Sequence, residues 1–181
     1  MTLSYCVFDT AIGSIGLGWT DRGIARVLLP QRDRQAMERK VGALDGTVAA
    51  PPEWVARVVD QLKSYAAGEP VPFDDVPVDL DGVDDFRLAI YDAARRLEFG
   101  VTTTYGALAA SVGYAGLARE TGAALGQNPV PIIIPCHRIL AAGNRIGGFS
   151  APGGSATKEK MLTMEGVRVG SPPPAQTTFG F

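Results

Sequence analysis

The sequence predicts an α+β protein: an antiparallel sheet with a helix, followed by a mostly helical part. Three observations predict it. The first thirty residues alternate apolar with small or polar side chains, the period of a half-buried strand. Trp54, Val55, Val58, Val59, Leu62, Tyr65 and Ala66 recur at the three- and four-residue spacing of one helix face. Phe86, Ile90, Ala93, Ala94 and Leu97 repeat that spacing further on, and short helical stretches follow.

Taken in order, residues 5–9 and 14–19 form two strands, and Asp21-Arg22-Gly23 is a turn signal. Residues 24–29 make a third strand, which gives an antiparallel meander. The polar stretch 31–40 suits a short helix. Pro52 fits an early helical position before the Trp54 face, and Gly68 is a natural stop. Residues 69–83 are rich in Pro, Asp and Gly, so the expected domains are 1–83 and 84–168. In the second, the Phe86 face ends near Gly100. Residues 105–111 and 115–125 make two short helices around Val112-Gly113-Tyr114, a helix-turn-helix pattern. Residues 158–165 form a last helix, and 169–181, with Pro172-Pro173-Pro174, are expected to be a flexible tail.

Composition narrows the function. The 181 residues include one histidine and two cysteines, which excludes a histidine-rich metal site and a disulfide scaffold. The longest strongly apolar run, 130–135, is far too short to span a bilayer. Residues 1–9 lack the basic and then apolar pattern of a signal peptide, so the cytoplasm is the expected compartment. The net charge of -2 argues, taken whole, against nucleic acid as a partner. It is unevenly spread: residues 1–83 carry 8 basic and 12 acidic side chains, and residues 84–168 carry 9 and 7.

One local feature carries chemistry. The apolar run Pro131-Ile132-Ile133-Ile134 enters Pro135-Cys136-His137-Arg138, which holds the only histidine. Proline favours an extended Ile134, so the chain is expected to arrive buried and stiff and to fix Cys136. Two readings of Cys136 stand: a small core hydrophobe, or a nucleophile whose pKa a cationic neighbour lowers. His137 is either a structural residue or the partner of that nucleophile.

These residues resemble the O6-alkylguanine-DNA alkyltransferases. Pro135-Cys136-His137-Arg138 is similar to that family's acceptor-cysteine signature. Gly100-Val101-Thr102-Thr103-Thr104-Tyr105-Gly106-Ala107-Leu108-Ala109 resembles a second family segment. Asn128-Pro129, Gly147-Gly148-Phe149-Ser150, Lys158 and Glu165-Gly166 follow in the family's order. The resemblance covers residues 86–166 closely and the first 83 loosely. It implies a ribonuclease H-like N-terminal domain and a C-terminal domain with a helix-turn-helix.

The resemblance also implies roles. Cys136 takes the alkyl group from O6-methylguanine, with O4-methylthymine a further candidate, and keeps it as a thioether, so the protein acts once. His137 is the water-linked base, and Glu165 orients it. Tyr105 contacts phosphate and flipped base, and its hydroxyl is placed to assist the leaving guanine. Arg119 fills the stack that a flipped nucleotide vacates. Ala118 and Gly122 let that helix press into the minor groove, and Thr103 is a further DNA contact. Asn128 braces the acceptor loop. Pro131, Ile139, Phe149 and Ser150 line or support the pocket, with Arg138 structural. No cofactor and no metal are implied, and the partner is double-stranded DNA bearing O6-alkylguanine, met by a monomer.

The chain departs from the family at three places. Glu120-Thr121-Gly122 replaces Ala-Val-Gly after Arg119, so an acid either weakens phosphate attraction or points inward. Residues 151–155, Ala-Pro-Gly-Gly-Ser, are longer than in many members. Tyr91 stands where many have tryptophan, a packing change. Outside the resemblance, the helix pair alone suits a transcription regulator, and Cys136 with His137 alone suits a cysteine hydrolase.

Overall fold

The computed structural model describes residues 2–170. Residues 171–181, most of the expected tail, lie outside the described residues. The meander is present: β1 (Ser4–Thr10), β2 (Gly13–Trp19) and β3 (Ile24–Leu28) pair antiparallel in sequence order. A two-residue β4 (Thr47–Val48) pairs parallel with the other edge of β1, giving the order β3-β2-β1-β4. Both of its side chains are exposed, so it leaves no burial pattern in the sequence. Gly18 has no room for a side chain, since a Cβ there would lie 2.5 Å from the Tyr5 ring.

Each sheet face has its helix. On one face α1 (Arg34–Gly42) packs Met37 and Val41 against Tyr5. Asp33 starts it by accepting from Ala36 N at 2.7 Å. On the other face α2 (Glu53–Ala66) buries Val55, Val58, Val59 and Leu62 against Phe8, Ile15 and Leu17. Each such side chain contributes about 1.5–3 kcal/mol of transfer free energy. Pro52 sits at the N-cap, one position before the helical turn it was expected to open.

The second half begins with α3 (Asp85–Arg95), capped by Asp84 accepting from Arg87 N at 2.9 Å. Leu97 lies past its end. The Tyr91 hydroxyl is buried and donates to Ala124 O at 2.8 Å, so it joins α3 to the later helix α5. α4 (Tyr105–Ser111) and α5 (Ala118–Gly126) form the expected pair, but their connection is longer than three residues. Residues 115–117 stay out of the helix, because Gly116 has φ 89°, a left-handed turn conformation. A short parallel pair, β5 (Thr103–Thr104) with β6 (Ile139–Leu140), was not anticipated. It seats the start of α4 beside the chain that leaves Cys136. α6 (Ser155–Met164) begins three residues before the expected start, and Glu165 is its C-cap.

One buried cluster runs through both halves, from Leu17 and Tyr65 to Ile90, Ile134 and Met161. Val27 N donates to Pro129 O at 2.9 Å and ties the free edge of β3 to the segment that leads into Cys136. No helix among the described residues is long and apolar enough to cross a membrane.

Candidate active site

The segment before Cys136 is buried, as its composition demands, and residues 130–134 close a compact turn. Ile134 N donates to Val130 O at 2.9 Å, and Ile132 takes φ 76°. A β-branched residue there is strained by about 1–3 kcal/mol, which the surrounding packing must hold. Asn128 supports the turn from both ends: its Nδ2 donates to Ile134 O at 2.8 Å, and its Oδ1 accepts from Val130 N at 3.0 Å. Cys136 then opens a single 3-10 turn, Cys136–Arg138.

That turn aims three consecutive side chains differently. Cys136 is 7% exposed. Burial pushes its thiol pKa up, and Asn128 and the Lys158 charge offset this only in part. The lowered pKa expected from a cationic neighbour is therefore not found, since burial outweighs the nearby charge. His137 is fully buried. Burial also pushes its pKa down, against the pull of Glu165, so the ring is neutral near pH 7. Its Nε2 lies 2.6 Å from Glu165 Oε1. An ionised carboxylate only accepts, so Nε2 carries the proton and Nδ1 holds a free lone pair. Nδ1 is buried with no hydrogen-bond partner among the described residues.

Glu165 is the hub. Arg138 Nε donates to Oε2 at 2.9 Å and Nη2 to Oε1 at 3.0 Å, a bidentate pair. Gly100 N donates to Oε2 at 2.9 Å. The Tyr65 hydroxyl donates to Oε1 at 2.8 Å and lies 3.1 Å from His137 Nε2. Burial works to raise the Glu165 pKa, but the bonds from His137 and Arg138 outweigh it and hold the carboxyl down to about 2.

A second cluster gathers around Tyr105. Lys158 is fully buried on α6. Its Nζ donates to Ile139 O at 2.6 Å, Tyr105 Oη at 3.2 Å and Gly148 O at 3.3 Å. Burial lowers its pKa to about 8. Burial likewise pushes the Tyr105 phenol up. Gly147, at φ 70°, lets the 147–150 loop pass close to that phenol; a Cβ there would lie 3.1 Å from its oxygen.

A cavity of about 500 Å³ reaches Cys136 from the Tyr105 side. Tyr105, Ala118, Arg119, Gly122, Phe149 and Ser150 line it, so those sequence-predicted residues do converge on the sulfur. Arg119 is exposed. Pro131 and Asn128 line a smaller neighbouring cavity that also touches Cys136. Ile139 is buried and offers its carbonyl to Lys158. Thr103 pairs with Ile139 in the short sheet and lines neither cavity. Arg138 lies behind the sulfur, holding Glu165 and lining a separate cavity of about 570 Å³ that does not reach Cys136. Glu120 is exposed, so it does not point inward; the buried neighbour is Thr121, whose Oγ1 donates to Leu117 O at 2.8 Å.

Two site residues escaped the sequence reading. Tyr65 was one more apolar position on the α2 face, and nothing local marks its hydroxyl as facing Glu165. Lys158 was recognised only as a matching position. A lysine inside a helix of otherwise core-facing spacing, with Met161 and Leu162 following, was its one available signal.

A family model described as "6-O-methylguanine DNA methyltransferase, DNA binding domain" matches residues 85–167. A methylated-DNA--protein-cysteine methyltransferase of Mycobacterium tuberculosis is 41% identical over 110 residues, 61% of this chain and 64% of that protein. The matched region thus spans less than two thirds of that relative. The one from Mus musculus is 32% identical over 180 residues, covering 94% of this chain and 84% of its own. A crystal structure of Mycobacterium tuberculosis O6-methylguanine methyltransferase superposes with TM-score 0.73 at 31% identity, over 91% of this chain and 93% of that one. A structure of the mycobacterial OGT in complex with DNA gives TM-score 0.72 at 32% identity, over 90% and 92%.

Proposed function

The chain belongs to the methylated-DNA–protein-cysteine methyltransferase family, and from that premise we propose that it repairs DNA by moving an alkyl group from guanine O6 to Cys136, once per molecule. The observation that carries this reading is the buried row from Glu165 through His137, whose free Nδ1 lone pair lies on the residue next to a thiol at the end of an open cavity.

The chemistry follows from that row. A thiol with a raised pKa needs a base, and neutral His137 is one. Adjacent side chains diverge, so the proton passes from sulfur to Nδ1 through one water. Glu165 stabilises the imidazolium that forms. The sulfur attacks the alkyl carbon; the S–C bond forms, and the C–O6 bond breaks with its electron pair on the base. The departing guanine gains negative charge, which the Tyr105 hydroxyl meets as a donor, with Lys158 behind it at 3.2 Å. The base ends neutral with one added proton, and the thiol has lost one. The thioether is stable, so no turnover follows, and no cofactor is needed because the lesion is the donor.

DNA handling is assigned to the other side of the cavity. The base must leave the duplex to reach a sulfur this buried. We read α4 and α5 as a helix-turn-helix that sets α5 in the minor groove, with Ala118 and Gly122 at the groove and Arg119 in the vacated stack. Thr103 and Tyr105 add backbone contacts. Residues 1–83 are read as a ribonuclease H-like domain, which the order β3-β2-β1-β4 with β4 parallel to β1 supports. Residues 84–168 are read as the acceptor domain. The protein acts as a monomer in the cytoplasm, on O6-methylguanine and on O4-methylthymine as a second substrate.

Incubation with one equivalent of a duplex carrying O6-methylguanine, followed by intact-mass and peptide analysis, tests this. One methyl group on Cys136 is expected, and none in Cys136→Ser. An unmodified wild type overturns the reading. Repeated turnover would favour a hydrolase.

A further inference from the structure

We propose that the cavity lined by Arg138 is a ligand site of its own, separate from the one that reaches Cys136, and that it takes a flat apolar molecule bearing one anionic group, above all an aromatic carboxylate. This goes beyond the alkyl transfer proposed above and does not rest on it.

The cavity measures about 570 Å³, within the range of small-molecule sites. Three stretches far apart in the sequence wall it: 70–74 after α2, 95–99 at the end of α3, and residues of 132–138. Neither Cys136 nor Tyr105 nor Arg119 lines it, so a guanine seated at the sulfur leaves it open.

The floor is aromatic. Phe73 and Phe99 both line the cavity, and each packs edge-on against Tyr65 with ring centroids 6.1 Å apart. Tyr65 is itself fully buried, so both rings are held against a fixed neighbour. Val71 and Ile133 add apolar wall. Phe99 stays half-buried, and covering its remaining surface with a flat ring is favourable.

The polar groups set the sign of the ligand. Arg138 lines this cavity while only 5% exposed. A guanidinium carries five N–H groups. Arg138 directs one each to Glu165 Oε2, Glu165 Oε1 and Leu97 O, which leaves two without an acceptor among the described residues. A desolvated cation with donors to spare favours an anionic acceptor. Arg95 and Arg96 line the cavity too, and neither has an acidic partner among the described residues, whereas Arg22, Arg34 and Arg87 do. Arg95 is fixed in place, since its Nη2 donates to Phe73 O and Val76 O, both at 2.9 Å. Asp74 and Glu98 also line the cavity, but both are exposed and neither pairs with an arginine among the described residues. They act against a second negative charge, so the class is a monoanion.

Calorimetric titration of the full chain, without DNA, compares 2-naphthoate with its uncharged amide, 2-naphthamide. Naphthoate is expected to bind about tenfold more tightly, the scale of a charge-assisted bond to a desolvated guanidinium. Arg96→Glu changes an exposed residue and is expected to weaken naphthoate about threefold, leaving naphthamide unchanged. Amide NMR locates the ligand: shifts are expected at Val71, Phe73 and Phe99, and at Gly100, whose N–H donates to Glu165. Shifts at 118–122 and 148–150 without those place the ligand in the Cys136 cavity and overturn the proposal. Equal affinities for acid and amide also overturn it, as does an unchanged naphthoate affinity in Arg96→Glu or no binding of naphthoate at millimolar concentration. A protein that binds naphthoate at this site but accepts no methyl group keeps the proposal and overturns the alkyl-transfer reading.

Discussion

The Tyr65 hydroxyl donates to Glu165 Oε1 at 2.8 Å, a contact between residues one hundred positions apart. Tyr65 belongs to α2, on the sheet side of the molecule, and Glu165 ends the last helix. The carboxylate that sets the His137 tautomer is therefore held partly by the N-terminal half. A row that looks local in the sequence, Cys136-His137-Arg138, is completed only when the two halves are packed together.

Tyr65→Phe keeps the ring and removes this donor. The transfer rate is expected to fall about tenfold, because Glu165 loses one of the bonds that orient it toward Nε2. A hydrogen bond to a charged group contributes about 2 kcal/mol, so stability should drop by a similar amount in urea unfolding. A purely packing role would lower stability and leave the pH profile of transfer in place. The positioning role shifts that profile, since Glu165 is then held less firmly ionised. Equal rates for both proteins at every pH would sink the idea.

The legible parts of the molecule were those with local periodicity or a contiguous motif. The three strands of the meander, α2 and α3 were readable because each buries one face at a fixed spacing. The acceptor tetrapeptide was readable because its residues are adjacent. What the sequence hid is long-range or lacks a burial pattern. β4 and the β5–β6 pair are two residues each, too short for any period. Ile132 in a left-handed conformation is set by the turn around Asn128 and not by its own preference. The sign of the Cys136 shift depends on burial against charge, and a neighbour list in sequence does not give burial.

Glu165 also makes stability depend on pH. Its carboxyl is held down to about 2 in the fold against 4.5 when free, with burial opposing and the His137 and Arg138 bonds prevailing. A depressed carboxyl contributes stability that is fully present above the unfolded value. That contribution is lost as pH falls from about 4.5 toward 2. It is on the order of 3 kcal/mol near neutral pH. Glu165→Gln removes it and strands Arg138, which is 5% exposed, without a counter-charge. The stability gap between wild type and Glu165→Gln should be widest near pH 7 and narrow toward about pH 3. Urea titrations at several pH values read the gap directly, and a constant gap would contradict the assignment.

The thiols should be quiet in the absence of DNA. Burial pushes Cys6 up to about 11 and raises Cys136 as well. Both are thiols near pH 7, and the thiolate is the form that reacts. Iodoacetamide labelling of the folded protein is expected to run at least several-fold slower than labelling of the urea-unfolded chain. With His137 lowered by burial, methyl transfer should stay flat down through about pH 6.5, where an ordinary histidine would protonate. A fall in rate centred there would mean that the base is solvated and not held as the buried row implies.

The proposed reading makes Arg119 the residue on which duplex use depends. It is exposed in the first turn of α5, and it lines the cavity that ends at Cys136. Glu120 beside it is exposed too, so the local field toward phosphate is weak and the stacking role must carry most of its effect. On that reading Arg119→Ala removes the proposed plug for the vacated stack but leaves Cys136 and His137 in place. Transfer from a fully paired duplex is expected to fall by ten- to a hundredfold, the scale of a few kcal/mol of unstacking. Transfer from single-stranded DNA carrying the same lesion should fall much less, because little unstacking remains to be offset. Single-turnover rates on the two substrates separate the alternatives. An equal loss on both would assign Arg119 to general phosphate attraction, and that loss would then shrink as salt is raised.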